Sequence, residues 1–171
     1  PSGLSAAYHL AKFGHQVEVY EAGPVAGGMM HFGIPAYRLP RNILQAEIKR
    51  IENLGVHFTF NYKVSDVFEE KTRGQFDAVF IAIGAQIGKK TDIPAREAGN
   101  ILDAVTFLKD VEMGLKPKIG RRVAIYGGGN TAMDAARIAK RLGADEALII
   151  YRRDKEHMPA HQFEADEAMG E

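Results

Sequence analysis

The run Gly127-Gly128-Gly129-Asn130-Thr131-Ala132 constrains this chain more than any other feature. It fits the spacing G-x-G-x-x-[G/A], a weak signal alone, but its flanks supply the context that gives it meaning. Residues 122–126 (Arg-Val-Ala-Ile-Tyr) read as a strand, 131–142 form an Ala- and Arg-bearing helical pattern, and 147–151 form a second strand. Strand, helix and strand in so few residues imply a parallel β-α-β crossover, the unit of doubly wound α/β sheets. In such a unit Gly127 permits the tight turn, Gly129 lets the backbone approach a pyrophosphate, and Ala132 allows the helix to pack closely on the strand. The N–H groups that start the helix then face the anion. A dinucleotide ligand is implied; the alternative is a structural turn of an α/β sheet that holds nothing.

The end of the second strand refines this. Sites that prefer NAD place Asp or Glu there for the ribose 2′-hydroxyl, whereas this chain has Arg152-Arg153, suited to the 2′-phosphate of NADPH through charge-assisted, bidentate hydrogen bonds. The alternative is a solvated surface pair, with Asp154 as a local partner. A partial echo stands at the start of the chain. There a helical pattern over 2–13, Gly14, an alternating strand over 16–20 and Glu21 repeat the order helix, glycine, strand, polar residue found at 131–152. Read as the tail of a second G-x-G-x-x-G, the echo makes Gly3 the last glycine and Glu21 an acid that grips a ribose, or else an ordinary acid at a strand end.

Between the two lie a loop rich in Gly and Pro over 23–40, a helix from Arg41 closed by Gly55, strands over 56–60 and 78–83, a linker over 84–100 and a connecting helix over 101–113. The 78–83 strand is apolar throughout, as a strand buried on both faces would be. Residues 152–171 are expected to form the next, solvated helix. With 171 residues there is room for about one domain. Even so, the motifs divide the chain into a partial domain over 1–100 and a second partial domain over 101–171, cut at both ends.

Composition closes off other classes. The 22 basic residues balance the 22 acidic ones, so no global field draws the protein to nucleic acid or an anionic membrane. No apolar run approaches the roughly 18 residues of a membrane span. Zero Cys removes disulfides, thiolate metal sites and cysteine nucleophiles, and is compatible with a reducing, cytoplasmic compartment. The six His are scattered; His157 and His161 are separated by Pro159 and have no third ligand nearby, and His31 reads as loop packing. No metal site is expected.

Taken together, Pro1-Ser2-Gly3-Leu4, Val19-Tyr20-Glu21-Ala22, Gly27-Gly28-Met29-Met30, the segment Phe32-Gly33-Ile34-Pro35-Ala36-Tyr37-Arg38-Leu39-Pro40, Ala82-Ile83-Gly84-Ala85, the run from Gly127 to Asp134 and Tyr151-Arg152-Arg153-Asp154 resemble the small (β) subunit family of NADPH-dependent glutamate synthase. The flavin-containing half of dihydropyrimidine dehydrogenase carries a similar module. The resemblance runs nearly end to end. It implies Rossmann-like parallel sheets, a partial FAD-binding domain followed by a partial NADPH-binding domain, and two cofactors, FAD and NADP. Ser2, Gly3, Glu21, Gly28, Met29, Arg38, Val64 and Gly84 would then serve FAD. Gly127, Gly128, Gly129, Asn130 and Thr131 would cradle the NADPH pyrophosphate, with Arg152 and Arg153 on the 2′-phosphate.

The activity implied is hydride transfer from NADPH to FAD, with electrons passed to a redox partner subunit or iron–sulfur domain outside this chain. The cofactors carry that chemistry, so no catalytic acid or base is assigned. Ile83 stands where the family has Thr, and the first strand and first glycines of the FAD turn are missing, so the chain alone is expected to hold FAD poorly. The rival classes are a non-catalytic nucleotide-binding or docking module, and a dehydrogenase that uses one nucleotide.

Overall fold

The computed structural model describes residues 1–85 and 100–171. The expected linker lies outside the described residues for its larger part, 86–99. The chain divides into two compact units, one of Pro1–His31 with Ala36–Gln86 and one of Phe32–Pro35 with Ile87–Glu171.

In the first unit α1 (Ser2–Lys12) leads to β1 (Glu18–Tyr20), which pairs in parallel with β2 (His57–Thr59) in the register Glu18 to His57 and Tyr20 to Thr59. A parallel pair needs a crossover. Here it contains the one-turn α2 (Met29–Phe32) and the longer α3 (Arg41–Glu52), whose Leu44 is buried. A further helix, α4 (Val67–Arg73), follows β2 and was not expected from periodicity. Its start signal was nevertheless present: Asp66 accepts from the N–H groups of Phe68 (2.8 Å) and Glu69 (3.0 Å), the N-cap arrangement that favours Asp. Asp66→Ala is expected to destabilise this unit by about 1 kcal/mol in urea denaturation.

The second unit is a β-α-β crossover with two more helices on it. Parallel strands β3 (Arg122–Tyr126) and β4 (Glu146–Ile150) pair from Arg122 to Glu146 through Tyr126 to Ile150, flanking α6 (Asn130–Arg141) in sequence. Before them comes α5 (Ala104–Glu112), capped by Asp103, and after them α7 (Gln162–Gly170). Ala132, Ala135, Ala136 and Ala139 fall at i, i+3, i+4 and i+7 on α6 and are all buried with Phe107, Leu108, Ile125 and Ala144. Four methyl-sized side chains on one stripe let the helix approach its neighbours closely.

The internal echo is physical. At the end of α1, Gly14 (φ 87°) donates to Ala11 O and His15 to Leu10 O; at the end of α6, Gly143 (φ 99°) donates to Lys140 O and Ala144 to Ala139 O. Both are Schellman closures, which place glycine in the left-handed region, and a parallel strand follows each.

Two expectations are corrected. Residues 78–83 form no strand, and Val79, Phe80, Ile81 and Ile83 are 46–78% exposed. An apolar run of this kind needs neighbouring strands to bond to, and β1 and β2 pair only with each other among the described strands. The tail is also not simply solvated. Glu164 and Ala165 of α7 are buried, and Arg137 of α6 reaches Glu167 (2.7 Å) and Glu171 (2.6 Å).

Candidate nucleotide-binding turns

β3 ends at Tyr126 and the chain turns at Gly127, whose N–H donates to Ile150 O at the end of β4 (3.0 Å). The next two glycines differ in why they are glycine. A Cβ on Gly128 would lie 2.6, 2.8 and 2.9 Å from three ring atoms of Tyr151, so the protein's own packing forbids a side chain there. A Cβ on Gly129 would meet nothing closer than Pro159 Cγ at 4.0 Å, and its φ of −94° suits any residue. Gly129 is the N-cap of α6, and the first N–H groups after it, on Asn130 and Thr131, have no acceptor within the helix. The open space at Gly129 therefore adjoins free donors and the positive end of the helix dipole, which is a cradle for an anion.

The chain after β4 folds back over this turn. Tyr151 lies against Gly128, and its hydroxyl donates to His157 O (3.0 Å). Ala160 N–H donates to Gly128 O (3.0 Å), and His161 N–H donates to the Asn130 side-chain oxygen (3.0 Å). Asn130 thus spends its carbonyl on the loop and keeps its amide N–H groups as donors. Arg152 and Arg153 stand exposed on the loop without an ion pair among the described residues. Asp154, the rival partner for them, is engaged elsewhere: it accepts from His157 N–H (3.1 Å) and lies 2.5 Å from His157 Nδ1.

In the first unit two of the expected segments converge. Pro1 caps α1, leaving the N–H groups of Ser2 and Gly3 outside the helical ladder, and the Cβ position of Gly28 (φ 54°) lies 3.4 Å from Pro1 Cδ. The Gly27-Gly28 turn therefore comes up to the helix start. Gly3 itself faces Ala82, whose Cβ lies 3.3 Å from where its own would be, so its lack of a side chain serves close packing. Glu21 follows β1; its Oε1 accepts from Gly23 N–H (2.8 Å), which ties it to the loop and leaves its second oxygen toward other donors. Met29 opens α2, Arg38 and Val64 are half-buried, and Gly84 is exposed with φ 66°.

Sequence reasoning missed Arg41, which donates to Leu39 O (2.9 Å) and Met30 O (3.3 Å) and so pins the ends of the loop between them. It also missed the cluster beyond β1 and β2. There the Tyr20 and Tyr62 rings sit 5.0 Å apart, Tyr62 donates to Glu70 (2.9 Å), and Arg73 bonds both Glu70 and the Tyr62 hydroxyl. The Arg73 bonds hold the Glu70 carboxyl below its ordinary range. Burial, helped by the nearby Glu18, raises the Tyr20 hydroxyl. Among the described residues no three His, Cys, Asp or Glu gather as metal ligands, and no helix is long and apolar enough to cross a membrane.

Residues 1–171 match the family model described as pyridine nucleotide-disulphide oxidoreductase. The chain is 46% identical over 175 residues to the NADP(+)-dependent formate dehydrogenase subunit beta of Moorella thermoacetica, covering 100% of the chain and 25% of that protein. It is 35% identical over 178 residues to the putative glutamate synthase [NADPH] small chain of Cereibacter sphaeroides, covering 98% and 43%. The structure of Mycobacterium tuberculosis FprA in complex with NADPH superposes with a TM-score of 0.78 at 21% identity, over 98% of this chain and 44% of that one, a likeness of fold. The chain thus spans less than half the length of these relatives.

Proposed function

Because the chain belongs to the pyridine nucleotide-disulphide oxidoreductase family, we propose that it forms nucleotide-binding parts of an NADPH-dependent flavin oxidoreductase that draws hydride from NADPH onto FAD. The observation that carries this reading is the open, donor-lined space at Gly129 beside two exposed arginines that no ion pair holds among the described residues. When bound, the two cofactors supply the redox chemistry, the nicotinamide as hydride donor and the flavin as acceptor.

The chain's own residues bind and orient. Gly129, Asn130 and Thr131 present backbone N–H groups to the pyrophosphate, with Gly127 and Gly128 shaping the turn. Arg152 and Arg153 take the 2′-phosphate. In the first unit Ser2, Gly3, Gly28 and Met29 border the FAD phosphates, and the second oxygen of Glu21 takes a ribose hydroxyl. Arg38, Val64 and Gly84 complete that site. Electrons leave to a redox partner subunit or iron–sulfur domain outside this chain, and reliance on NADPH goes with a cytoplasmic location. The relatives of similar sequence are named for different reactions, so the final acceptor is set by residues beyond these two turns.

The test is nucleotide titration. Arg152→Ala is expected to weaken NADPH binding by about 1–3 kcal/mol, the worth of a charge-assisted hydrogen bond, while NADH changes by less than about twofold. Equal losses for both nucleotides would reject the 2′-phosphate role.

A further inference from the structure

An arginine pair discriminates a 2′-phosphate only if both guanidinium groups reach it together, and these two sit at bends just before a single 3-10 turn, Lys155–His157. What fixes the loop is its return over the glycine turn. The Tyr151 ring lies within 2.9 Å of the Cβ position of Gly128, its hydroxyl closes onto His157 O, Ala160 N–H bonds Gly128 O, and His161 N–H bonds Asn130. The arginines lie between the first of these anchors and the rest.

Two of the loop's neighbouring charges are held by other residues. Asp154 is held by His157, and Lys155 lies 3.0 Å from Asp166 Oδ1. Arg152 and Arg153 are thus the loop's cations left for an anion, ahead of the exposed Glu156. From this we propose that Tyr151 is a positioning residue for a ribose 2′-phosphate. Its ring and hydroxyl fasten the loop to the glycine turn, so that Arg152 and Arg153 stand at a fixed offset from the pyrophosphate cradle. The inference rests on the NADPH reading above, and adds to it a residue that touches no part of the nucleotide.

Adenosine 2′,5′-bisphosphate and AMP are the probes, since they differ in the 2′-phosphate and need neither flavin nor turnover. Tyr151→Phe keeps the ring against Gly128 and deletes only the hydroxyl. The variant is expected to bind the bisphosphate about threefold to tenfold more weakly, the span of one hydrogen bond, and AMP within about twofold of the unaltered protein. Combined with Arg152→Ala it should add little, because the hydroxyl acts through the arginine. Equal weakening of both probes, or full additivity with Arg152→Ala, overturns the positioning role. Unaltered protein that binds the two probes equally rejects the NADPH reading itself, and the role of Tyr151 with it.

Discussion

Gly129→Ala is expected to leave the fold intact and to cost NADPH at least about tenfold in affinity, about 1.4 kcal/mol, while Gly128→Ala is expected to do the reverse in order of cause. At 129 the backbone is extended and the nearest atom to a new methyl is 4.0 Å away, so stability should change by less than about 1 kcal/mol, the difference between Gly and Ala at an N-cap. The methyl would instead occupy the space in which, on the proposed reading, a pyrophosphate would meet the N–H groups of Asn130 and Thr131. At 128 the methyl would meet Tyr151 Cγ at 2.8 Å, close to the base of a ring with little room to swing. Overpacking of this kind destabilises by about 1–3 kcal/mol, or roughly 2–9 °C in melting temperature for a chain of this size. Any loss of NADPH then follows from the displaced loop. Denaturation curves and NADPH titrations of the two variants separate these profiles. Equal destabilisation by both would show that Gly129, too, is held by packing, and would remove the observation on which the nucleotide site rests.

That contrast also marks how far the sequence could be read. The strand over 122–126 and the α6 stripe were legible because a buried β-α-β unit must alternate apolar strands with a small-residue helix face, and the bounds of α6 differ by one residue at each end. Gly14 and Gly143 were legible as helix ends because a left-handed residue is nearly always glycine. The run 78–83 was misread because hydrophobicity reports a demand for burial, not the presence of strands that satisfy it. α4 was overlooked because a seven-residue helix gives periodicity little to show, although Asp66 and Glu69 stood at cap spacing. Within the site, spacing named the glycines and arginines but could not tell a glycine kept for Tyr151 from one that leaves space open. That distinction depends on which ring the chain returns to the turn after β4 has completed the crossover. The carbonyl of Asn130 was likewise invisible, since its partner is a backbone N–H 31 positions away.

Arg137→Leu is the remaining substitution with a large expected effect, and it tests whether α7 holds the loop in place. Arg137 is 8% exposed on α6, and its guanidinium donates to Glu167 (2.7 Å) and to Glu171 (2.6 and 3.0 Å), which Arg141 also reaches (2.8 Å). The carboxyl partners are partly solvated, so a loss of about 1–3 kcal/mol at neutral pH is expected rather than the larger penalty of a fully buried pair. The bonds from Arg137 and Arg141 hold the Glu171 carboxyl at about 2, against an ordinary 4.5. A depressed acid contributes stability that is complete above its unfolded value and lost as pH falls through its folded one. The gap between Arg137→Leu and the unaltered protein should therefore be full above about pH 5 and shrink as pH falls from 4.5 toward 2. A gap that persists undiminished at pH 2 would mean that Arg137 acts through its packing and not through its charge. Because His161, the N-cap of α7, is also the residue that bonds Asn130, loosening α7 from α6 should weaken adenosine 2′,5′-bisphosphate more than AMP. That would tie the ion pairs at one end of α7 to phosphate recognition at the other.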